Sequence, residues 1–395
     1  MDVEPRVIVA QIEARRAYAV PLIIYRAGLL EYLYTGTSSC SLLGRMLCFR
    51  RRNIRVIPSE LKKETVVSTD RPTLVDIPHH LGFCNQGLRR YLKRNEVFGE
   101  FMIRKGLANA NIIYSFNIGC HNFLNHARCR RVKVISDIYM HPLTSHILRH
   151  EEETIRGINK NRINSDQSLY TEMYTRTFEL SDTLLCPSAW VADGVRELCP
   201  QHGHKIKICP YGSSIDYNGR VNKPIRGRIF WAGRDWLGKG LHYLAQAADE
   251  LKAKYPEMDF RAAGITNPKV FSMHKFRNIN FLGKLDKQQM QEEFLSADMF
   301  VFPTLSEGMA GVVVEAIAAG CPVITTQCAG IDAIENGKNG ILIPPRNPSS
   351  IVEAVEKVYC DREYRNILAT NVRILADDYT LDAWANRLVG ILKEL

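Results

Sequence analysis

The chain has 395 residues, of which 46% are hydrophobic and 24% are charged, a composition typical of folded domains and too apolar for a disordered chain. Single cores rarely grow beyond roughly 250–300 residues, so we expect two domains. The nearest approach to an uncharged apolar run of about eighteen residues, 17–34, is interrupted by Pro21, Arg26 and Glu31. The composition therefore argues against a transmembrane helix.

Cysteine usage and the start of the chain indicate the compartment. The eleven cysteines are scattered singly with no Cys-x-x-Cys pair, which fits neither a disulfide framework nor a zinc site. The chain begins with Asp2 and Glu4 among its first residues, whereas a secretory signal begins with basic residues. We therefore expect a cytoplasmic protein.

Positive charge is concentrated in the first half of the chain. Residues 1–217 contain 30 Lys and Arg against 21 Asp and Glu, and residues 218–395 contain 22 against 21, so the net charges are +9 and +1. This asymmetry predicts that the first half alone faces something anionic, which is a nucleic acid, a membrane surface or an acidic substrate.

Strand and helix patterns alternate along the chain. In the first half, short β-branched or aromatic runs predict strands at 7–12, 112–116, 132–136, 183–186 and 205–208. In the second half, strands are predicted at 228–232, 259–263, 280–282, 299–302, 322–325 and 340–343. Helices are predicted between them at 240–254, 286–297 and 310–319. This alternation is typical of parallel, doubly wound α/β sheets with right-handed crossovers.

The same reading divides the chain into two Rossmann-like domains. Residues 211–224 mix Gly, Ser, Asn and Pro with little apolar content and are interpreted as the linker. We predict a first domain over 1–217 and a second over 218–377. The last segment, 378–395, is predicted to be a helix with one apolar stripe, formed by Leu381, Trp384, Leu388 and Leu392.

The segment from Pro303 to Ala316 carries the clearest functional signal. It follows a predicted strand and places Gly308 and Gly311 near the start of a predicted helix. Backbone N–H groups there are unpaired and lie at the positive end of the helix dipole, which suits a phosphate or diphosphate. Glu307 and Glu315 flank this point and can accept hydrogen bonds from sugar hydroxyls. On spacing alone, Glu315 is equally well explained as a solvated or capping acid.

A second loop, from Trp231 to Leu241, follows the first strand of the same domain. Ligands of doubly wound sheets bind outside the carboxyl ends of the strands, so this loop and the Glu307 loop can face one cleft. Arg234 and Lys239 would then bring two positive charges to a diphosphate. Taken alone, the two cations are ordinary surface residues, and the convergence of the loops favours the binding interpretation.

Together these loops follow a recognisable family pattern. Its elements are Gly233-Arg234, Lys239-Gly240, Ser306-Glu307-Gly308, Glu315-Ala316 and Gly320-Cys321-Pro322-Val323-Ile324. The pattern resembles the C-terminal domain of the retaining GT-B glycosyltransferases of family 4, strongly over residues 205–375 and mainly by strand order over the first 200. The resemblance implies a GT-B architecture, in which two Rossmann-like domains enclose a cleft, and a terminal helix that crosses back to the first domain.

The resemblance also implies that the second domain binds a nucleotide-diphosphate sugar as donor. Arg234 and Lys239 would hold the diphosphate, Glu315 the ribose and Glu307 the donor sugar at the reacting centre. Gly233 would line the phosphate site together with the backbone of Gly308, Met309, Ala310 and Gly311. Transfer would retain the anomeric configuration, because the departing diphosphate, stabilised by the cations, would help to deprotonate the acceptor. It would need neither a cofactor nor a divalent metal, and no Asp-x-Asp triplet is present.

The first domain of this family usually supplies a histidine or an acid near the reacting carbon. Here His141 is the preferred catalytic candidate and Asp137 the second, because both directly follow a predicted strand. A lone histidine is also often structural. The loop after the first strand lacks the glycine pair of many family members, and Glu13 and Arg15 in it are predicted to contact the acceptor.

A basic helical pattern covers residues 86–105. Its cations surround one apolar side and comprise Arg89, Arg90, Lys93, Arg94, Arg104 and Lys105, with a second cluster at 50–52. Such a helix can lie on anionic lipid, and it can equally be an ordinary domain helix with its cations in water. Contact with the cytoplasmic face of a membrane is therefore a hypothesis that this pattern suggests.

The sequence as a whole predicts a retaining, metal-independent hexosyltransferase that acts on a glycan or lipid-linked acceptor in polysaccharide or glycoconjugate biosynthesis. One alternative is a non-catalytic nucleotide- or nucleic-acid-binding protein, which explains the charge but leaves the paired loops unused. We do not expect a nucleic-acid partner, because aromatic base-stacking clusters are not evident. A GT-B epimerase or phosphorylase is the nearer alternative.

Overall fold

The computed structural model describes residues 4–48, 56–76, 87–155, 167–213, 215 and 217–395. These residues form two parallel β-sheets, of seven and six strands, with helices between most successive strands. Parallel strands require such crossovers, because the chain must return along the sheet before the next strand begins. The two Rossmann-like α/β domains that the sequence predicts are confirmed.

The first sheet contains β1 (Val7–Gln11), β2 (Leu30–Thr35), β3 (Val66–Ser68), β4 (Ile112–Ser115), β5 (Lys133–Asp137), β6 (Thr183–Cys186) and β7 (Ile206–Ile208). The strands lie in the order β3-β2-β1-β4-β5-β6-β7. The sequence pattern predicts five of them and misses β2 and β3. β2 is hidden inside the apolar stretch 17–34, where Gly28, with a φ of 75°, turns the chain from a helix into the strand.

Eight helices of the described residues accompany this sheet. They are α1 (Ala19–Arg26), α2 (Leu42–Cys48), α3 (Arg71–Leu74), α4 (Gly87–Lys105), α5 (His121–Cys129), α6 (Thr144–Thr154), α7 (Gln167–Leu180) and α8 (Ala189–Leu198). The basic pattern over 86–105 is thus helical, and Phe98 and Met102 on its apolar side are fully buried in the domain core.

The second sheet contains β8 (Arg228–Ala232), β9 (Asp259–Ala263), β10 (Ile279–Gly283), β11 (Met299–Phe302), β12 (Val323–Thr325) and β13 (Ile341–Leu342). Its order is β10-β9-β8-β11-β12-β13, so all six predicted strands are present. Its helices are α9 (Leu241–Lys254), α10 (Pro268–Phe271), α11 (Lys287–Ser296), α12 (Gly311–Ala319), α13 (Pro348–Cys360) and α14 (Arg362–Ile374). β8 and β11 are neighbours at the centre of the sheet, which places the loops that follow them side by side.

The last helix, α15 (Leu381–Lys393), connects the two domains. Its Trp384 is fully buried and lies edge-on to the ring of Tyr211, with ring centroids 5.3 Å apart. Lys207, on the last strand of the first sheet, pairs with Glu394 at 2.6 Å. The end of the chain therefore packs beside the first domain and beside the segment that joins the two sheets.

Candidate active site at the domain interface

The loops after β8 and β11 meet through an ion pair. The Nζ atom of Lys239 lies 2.6 Å from Oε1 of Glu307, and the two side chains are only 22% and 14% exposed. The backbone N–H of Leu305 donates to the carbonyl of Gly238 at 2.9 Å, which fastens the loops to each other beside this pair. The structure thus brings together the two predicted donor loops at the carboxyl edge of the second sheet, where doubly wound sheets bind ligands.

The start of α12 is open to an anion. Ala310 is its N-cap residue and provides no side-chain hydrogen bond, whereas α11, α13, α14 and α15 are each capped by an Asp, Asn or Thr side chain. The N–H of Ala310 itself donates to the carbonyl of Ala329 at 2.9 Å. A ligand at this helix start would therefore meet the next N–H groups, at Gly311 and Val312, in the positive field of the helix dipole. The predicted phosphate position at Met309 to Gly311 coincides with this helix start.

Gly308 is one of the points at which the loop after β11 touches the first domain. A Cβ atom built on it would lie 1.8 Å from the carbonyl oxygen of Tyr139, so only glycine fits there. Its own carbonyl accepts a hydrogen bond from the Oγ of Ser188 at 2.7 Å. The next residues of the first domain add a contact, because Thr144 and Ser306 share a hydrogen bond of 2.7 Å between their hydroxyls. The loop that carries Glu307 is therefore held by both domains.

Gly233 and Arg234 complete the loop after β8. A Cβ on Gly233 would lie 2.9 Å from the Trp231 ring, so the absence of a side chain lets the loop fold tightly over that ring. The side chain of Arg234 is exposed, and no carboxylate within the described residues pairs with it. Arg234 therefore remains available to an anionic ligand.

Glu315 lies one turn into α12 with a partly buried, unpaired carboxyl group. Burial raises its pKa to about 7, although the positive charge of Lys287 opposes the shift. Its backbone carbonyl accepts the hydroxyl of Tyr217 at 3.1 Å, but among the described residues no side chain donates to the carboxyl itself. This environment differs from that of a capping or solvated acid and suits a carboxyl that awaits a hydrogen-bonding ligand.

Asp137 is completely buried at the end of β5. The hydroxyls of Tyr114 and Tyr211 donate to its two carboxylate oxygens. Burial raises its pKa to about 6, and the two tyrosine hydrogen bonds act in the opposite direction. Both oxygens are therefore already occupied by protein groups.

His141 is packed into the first domain. Its ring stacks on Trp190 with centroids 4.3 Å apart, and its Nε2 lies 2.5 Å from a Cβ built on Gly194, at the middle of α8. Only 3% of the residue is exposed, and burial lowers its pKa to about 4. Its Nδ1 accepts a hydrogen bond from the N–H of Leu143 at 3.2 Å, and among the described residues no hydrogen bond joins it to Lys239 or Glu307. The catalytic role of His141 stays a prediction, as does that of Asp137.

The two predicted acceptor residues lie after β1 and have different surroundings. Glu13 is half exposed and pairs with Arg94 at 3.3 Å. The guanidinium of Arg15 lies 3.5 Å above the ring of Tyr139, the residue whose carbonyl meets Gly308. Arg15 is therefore the predicted acceptor contact nearest to the donor loop.

Sequence reasoning missed a buried carboxylate that links the domains. Glu151, on α6, is 1% exposed and accepts hydrogen bonds from His242 at 2.9 Å, Tyr243 at 2.5 Å and Arg346 at 2.7 Å, all from the second domain. Burial raises its pKa, but these three donors outweigh burial and bring the pKa to about 2. Nothing in the local sequence around Glu151 marks it, because its partners lie about ninety and two hundred residues away.

Several cations of the basic helix α4 are paired within the first domain. Arg90 and Arg94 lie within 3.5 Å of Asp76, and Lys93 pairs with Glu96 at 2.8 Å. The cluster at 50–52 lies outside the described residues. Among the helices that the structure describes, none is long and apolar enough to span a bilayer.

Two Rossmann-like domains, with candidate ligand loops at the edge where they meet, define a GT-B fold. Residues 226–361 match the family model described as glycosyl transferases group 1. The D-inositol 3-phosphate glycosyltransferase of Corynebacterium urealyticum is 27% identical over 52% of this chain and 55% of its own length. The alpha-D-kanosaminyltransferase of Streptomyces kanamyceticus is 29% identical over 45% of this chain and 47% of its own length. The chain spans about half the length of the curated relatives it matches.

Solved structures extend the likeness to the whole fold. Anabaena HepE in complex with UDP superposes with a TM-score of 0.65 at 14% identity and covers 99% of this chain and 100% of its own. A mutant of Staphylococcus aureus TarM, in complex with Fondaparinux, alpha-GlcNAc-glycerol and UDP, superposes with a TM-score of 0.68 at 8% identity over 98% and 99% of the two chains. At these identities the likeness establishes the GT-B fold, which confirms the predicted fold class.

Proposed function

We propose that this protein is a retaining glycosyltransferase that moves a sugar from a nucleotide-diphosphate sugar to a glycan or lipid-linked acceptor. The observation that carries the proposal is the contact between Lys239 and Glu307 beside the uncapped start of α12. This contact places a cation, a carboxylate and free backbone N–H groups at one edge of the sheet. The cation and the N–H groups suit a diphosphate, and the carboxylate suits the hydroxyls of a sugar.

In the proposed reaction, each group acts on a different part of the donor. Lys239, Arg234 and the N–H groups at Gly311 stabilise the negative charge that grows on the leaving diphosphate, an effect that is largest in the transition state. Glu307 accepts hydrogen bonds from the sugar, and Glu315 accepts them from the ribose. The acceptor attacks from the face that the diphosphate leaves, and a phosphate oxygen takes its proton, so the anomeric configuration is retained.

The acceptor is assigned to the first domain. The charge of +9 on residues 1–217 and the position of Arg15 over Tyr139 support an acceptor that carries negative charge or lies at an anionic surface. Flotation with anionic and neutral liposomes tests peripheral membrane contact, and equal recovery with the two lipids would exclude it. HepE and TarM were solved with UDP, and we extend nucleotide binding from them to this chain as part of the proposal.

A thermal-shift panel with UDP, GDP, ADP and their nucleotide sugars tests the donor site. A ligand that binds only the folded protein stabilises it by about 2.7 kcal/mol at a hundred times its dissociation constant. We expect a shift with one base, lost in Lys239→Ala and unchanged in Lys338→Ala, a matched exposed lysine of the same domain. No shift, together with retention on nucleic acid, would favour the non-catalytic alternative.

Product analysis with a labelled nucleotide sugar separates the enzymatic alternatives. Label that reaches an acceptor with retained configuration, in the presence of a chelator, supports the proposed transferase and its independence of metal. Label that appears only in the epimer of the donor would identify an epimerase. Incorporation that depends on inorganic phosphate would identify a phosphorylase.

A further inference from the structure

The turn after β1 has an unusual backbone. Arg16, Ala17 and Tyr18 have φ angles of 49°, 51° and 63°, so three consecutive L-residues are left-handed. The left-handed conformation is sterically unfavourable for an L-residue, and glycine would adopt it without that cost. Strain of this kind persists only where the surrounding structure enforces it, and it is concentrated at functional sites. We therefore examine which side chains this turn holds in place.

The strained turn presents Arg16 to the second domain. One guanidinium nitrogen, Nη2, lies 3.4 Å from the carbonyl oxygen of Met309. The other, Nη1, lies 3.8 Å from a Cβ built on Gly311, the first residue of α12. The side chain thus crosses the domain boundary and reaches the uncapped helix start.

The ring of Tyr211 holds Arg16 in this position. Its guanidinium carbon lies 4.2 Å from the centre of the Tyr211 ring. The Tyr211 hydroxyl donates to the buried Asp137, and Trp384 packs against the same ring. A cation over an aromatic face is attracted to it without using its N–H donors. The neighbouring Arg15 stacks instead on Tyr139, so the two arginines have separate positions.

Most of the hydrogen-bonding capacity of Arg16 is free. The side chain is exposed, it makes one long hydrogen bond, and no carboxylate among the described residues forms an ion pair with it. A guanidinium has five N–H donors in a fork that matches phosphate oxygens. The group beside it, the start of α12, attracts the same kind of ligand.

We propose that Arg16 binds the diphosphate of the donor from the first domain, and that the left-handed turn exists to hold it there. This inference rests on the proposed function and adds a residue to it. Arg234 and Lys239 belong to the second domain, whereas Arg16 reaches the same helix start only while the domains are in contact. The leaving group thus receives its full positive charge only in the closed molecule, when the acceptor side is also in place.

Isothermal titration of the full chain tests this assignment with two probes that differ by one phosphate. The probes are the nucleoside diphosphate that binds best among UDP, GDP and ADP, and the corresponding monophosphate. We expect Arg16→Ala to weaken the diphosphate about tenfold and the monophosphate less than twofold, and Arg16→Lys to be intermediate because it keeps the charge without the fork. Arg26→Ala is the matched control, since Arg26, the last residue of α1, is exposed and pairs with the exposed Glu60.

The outcomes separate the two proposals. Equal losses for the two probes, or no loss in Arg16→Ala while Lys239→Ala abolishes binding, would overturn the role of Arg16 and leave the donor site intact. A wild-type chain that binds neither probe would overturn both. Melting without ligand shows that the variants fold, and Arg16→Gln provides a second neutral variant that keeps the length of the side chain.

Discussion

The two domains share a parallel-sheet architecture but contribute to the candidate site in different ways. In the second domain, two short loops after neighbouring strands carry most of the predicted donor residues, and residues 226–361 match a family model. In the first domain, the contacts to the same site come from the separate positions Arg16, Tyr139, Thr144 and Ser188. The comparison indicates that the candidate donor loops are formed by residues close together in the chain, whereas the opposite wall of the candidate site depends on how the first domain folds and docks.

The largest expected effect comes from breaking the donor loops. Lys239→Ala or Glu307→Ala should lower sugar transfer by about 10³-fold or more, because in the proposed reaction each removes a group that acts on the donor in the transition state. Initial rates of transfer to a glycan acceptor measure the loss. Glu335→Ala, a matched exposed acid of the same domain, should retain full activity. Unchanged turnover in either donor variant would contradict the assignment.

The next effect tests the docking of the first domain. Glu151→Ala leaves three donors of the second domain without their shared acceptor and should cost about 2–4 kcal/mol of unfolding free energy. The depressed pKa, about 2, means that this contribution is present above the ordinary carboxyl pKa and is lost only as the pH falls towards 2. Denaturant unfolding should therefore give the same difference at pH 6 and pH 8.

The matched control for this variant is Glu153→Ala, an exposed acid on the same helix that pairs with Arg149. Its loss should be below about 1 kcal/mol. Small-angle scattering should also show a larger radius of gyration for Glu151→Ala if the carboxylate holds the domains together. A radius equal to that of the wild type would restrict Glu151 to a local stabilising role.

A smaller effect concerns the carboxyl of Glu315, the proposed ligand of the ribose. The pKa of Glu315 is raised to about 7, so the folded state disfavours its charged form. The resulting cost is absent below the unfolded pKa near 4.5, grows as the pH rises and is complete above 7. Glu315→Gln should therefore stabilise the ligand-free protein by roughly 1–3 kcal/mol at pH 8 and not at pH 4. Thermal melting at the two pH values measures this.

The same variant should weaken nucleotide binding. Ribose hydroxyls favour the ionised carboxylate, so the affinity of the wild type should rise with pH up to about 7 and then level off. In Glu315→Gln this pH dependence should be missing. A stability gain without any change in nucleotide affinity would show that Glu315 does not contact the nucleoside.

The smallest expected effect comes from relieving the backbone strain in the left-handed turn after β1. Ala17→Gly should stabilise the protein by about 1 kcal/mol, because glycine adopts the left-handed conformation at φ 51° without steric cost. Ala19→Gly is the control: Ala19 is the helical first residue of α1, where glycine should cost up to about 1 kcal/mol. Denaturant midpoints compare the two. Equal destabilisation by both changes would show that the turn is not strained.

Much of the second domain was predictable because its signals are short-range. Strand periodicity located all six strands, and the loop residues after β8 and β11 follow directly from the rule that ligands bind at the carboxyl ends of parallel strands. β2 and β3 escaped prediction for a local reason. Only three residues, 27–29, separate α1 from β2, and β3 has only three residues.

The sequence by itself determined the two α/β domains, the excess charge of the first and the positions of the two candidate donor loops, since each depends on composition or on neighbours in the chain. Only the tertiary structure decided which side chains meet. It buried His141 against Trp190 and Gly194, and it joined Glu151 to Arg346, 195 residues away. It also carried Arg16 to the start of α12. The physical reason is that burial, pairing and strain depend on which atoms are close in space. Periodicity along the chain does not predict these contacts between distant residues.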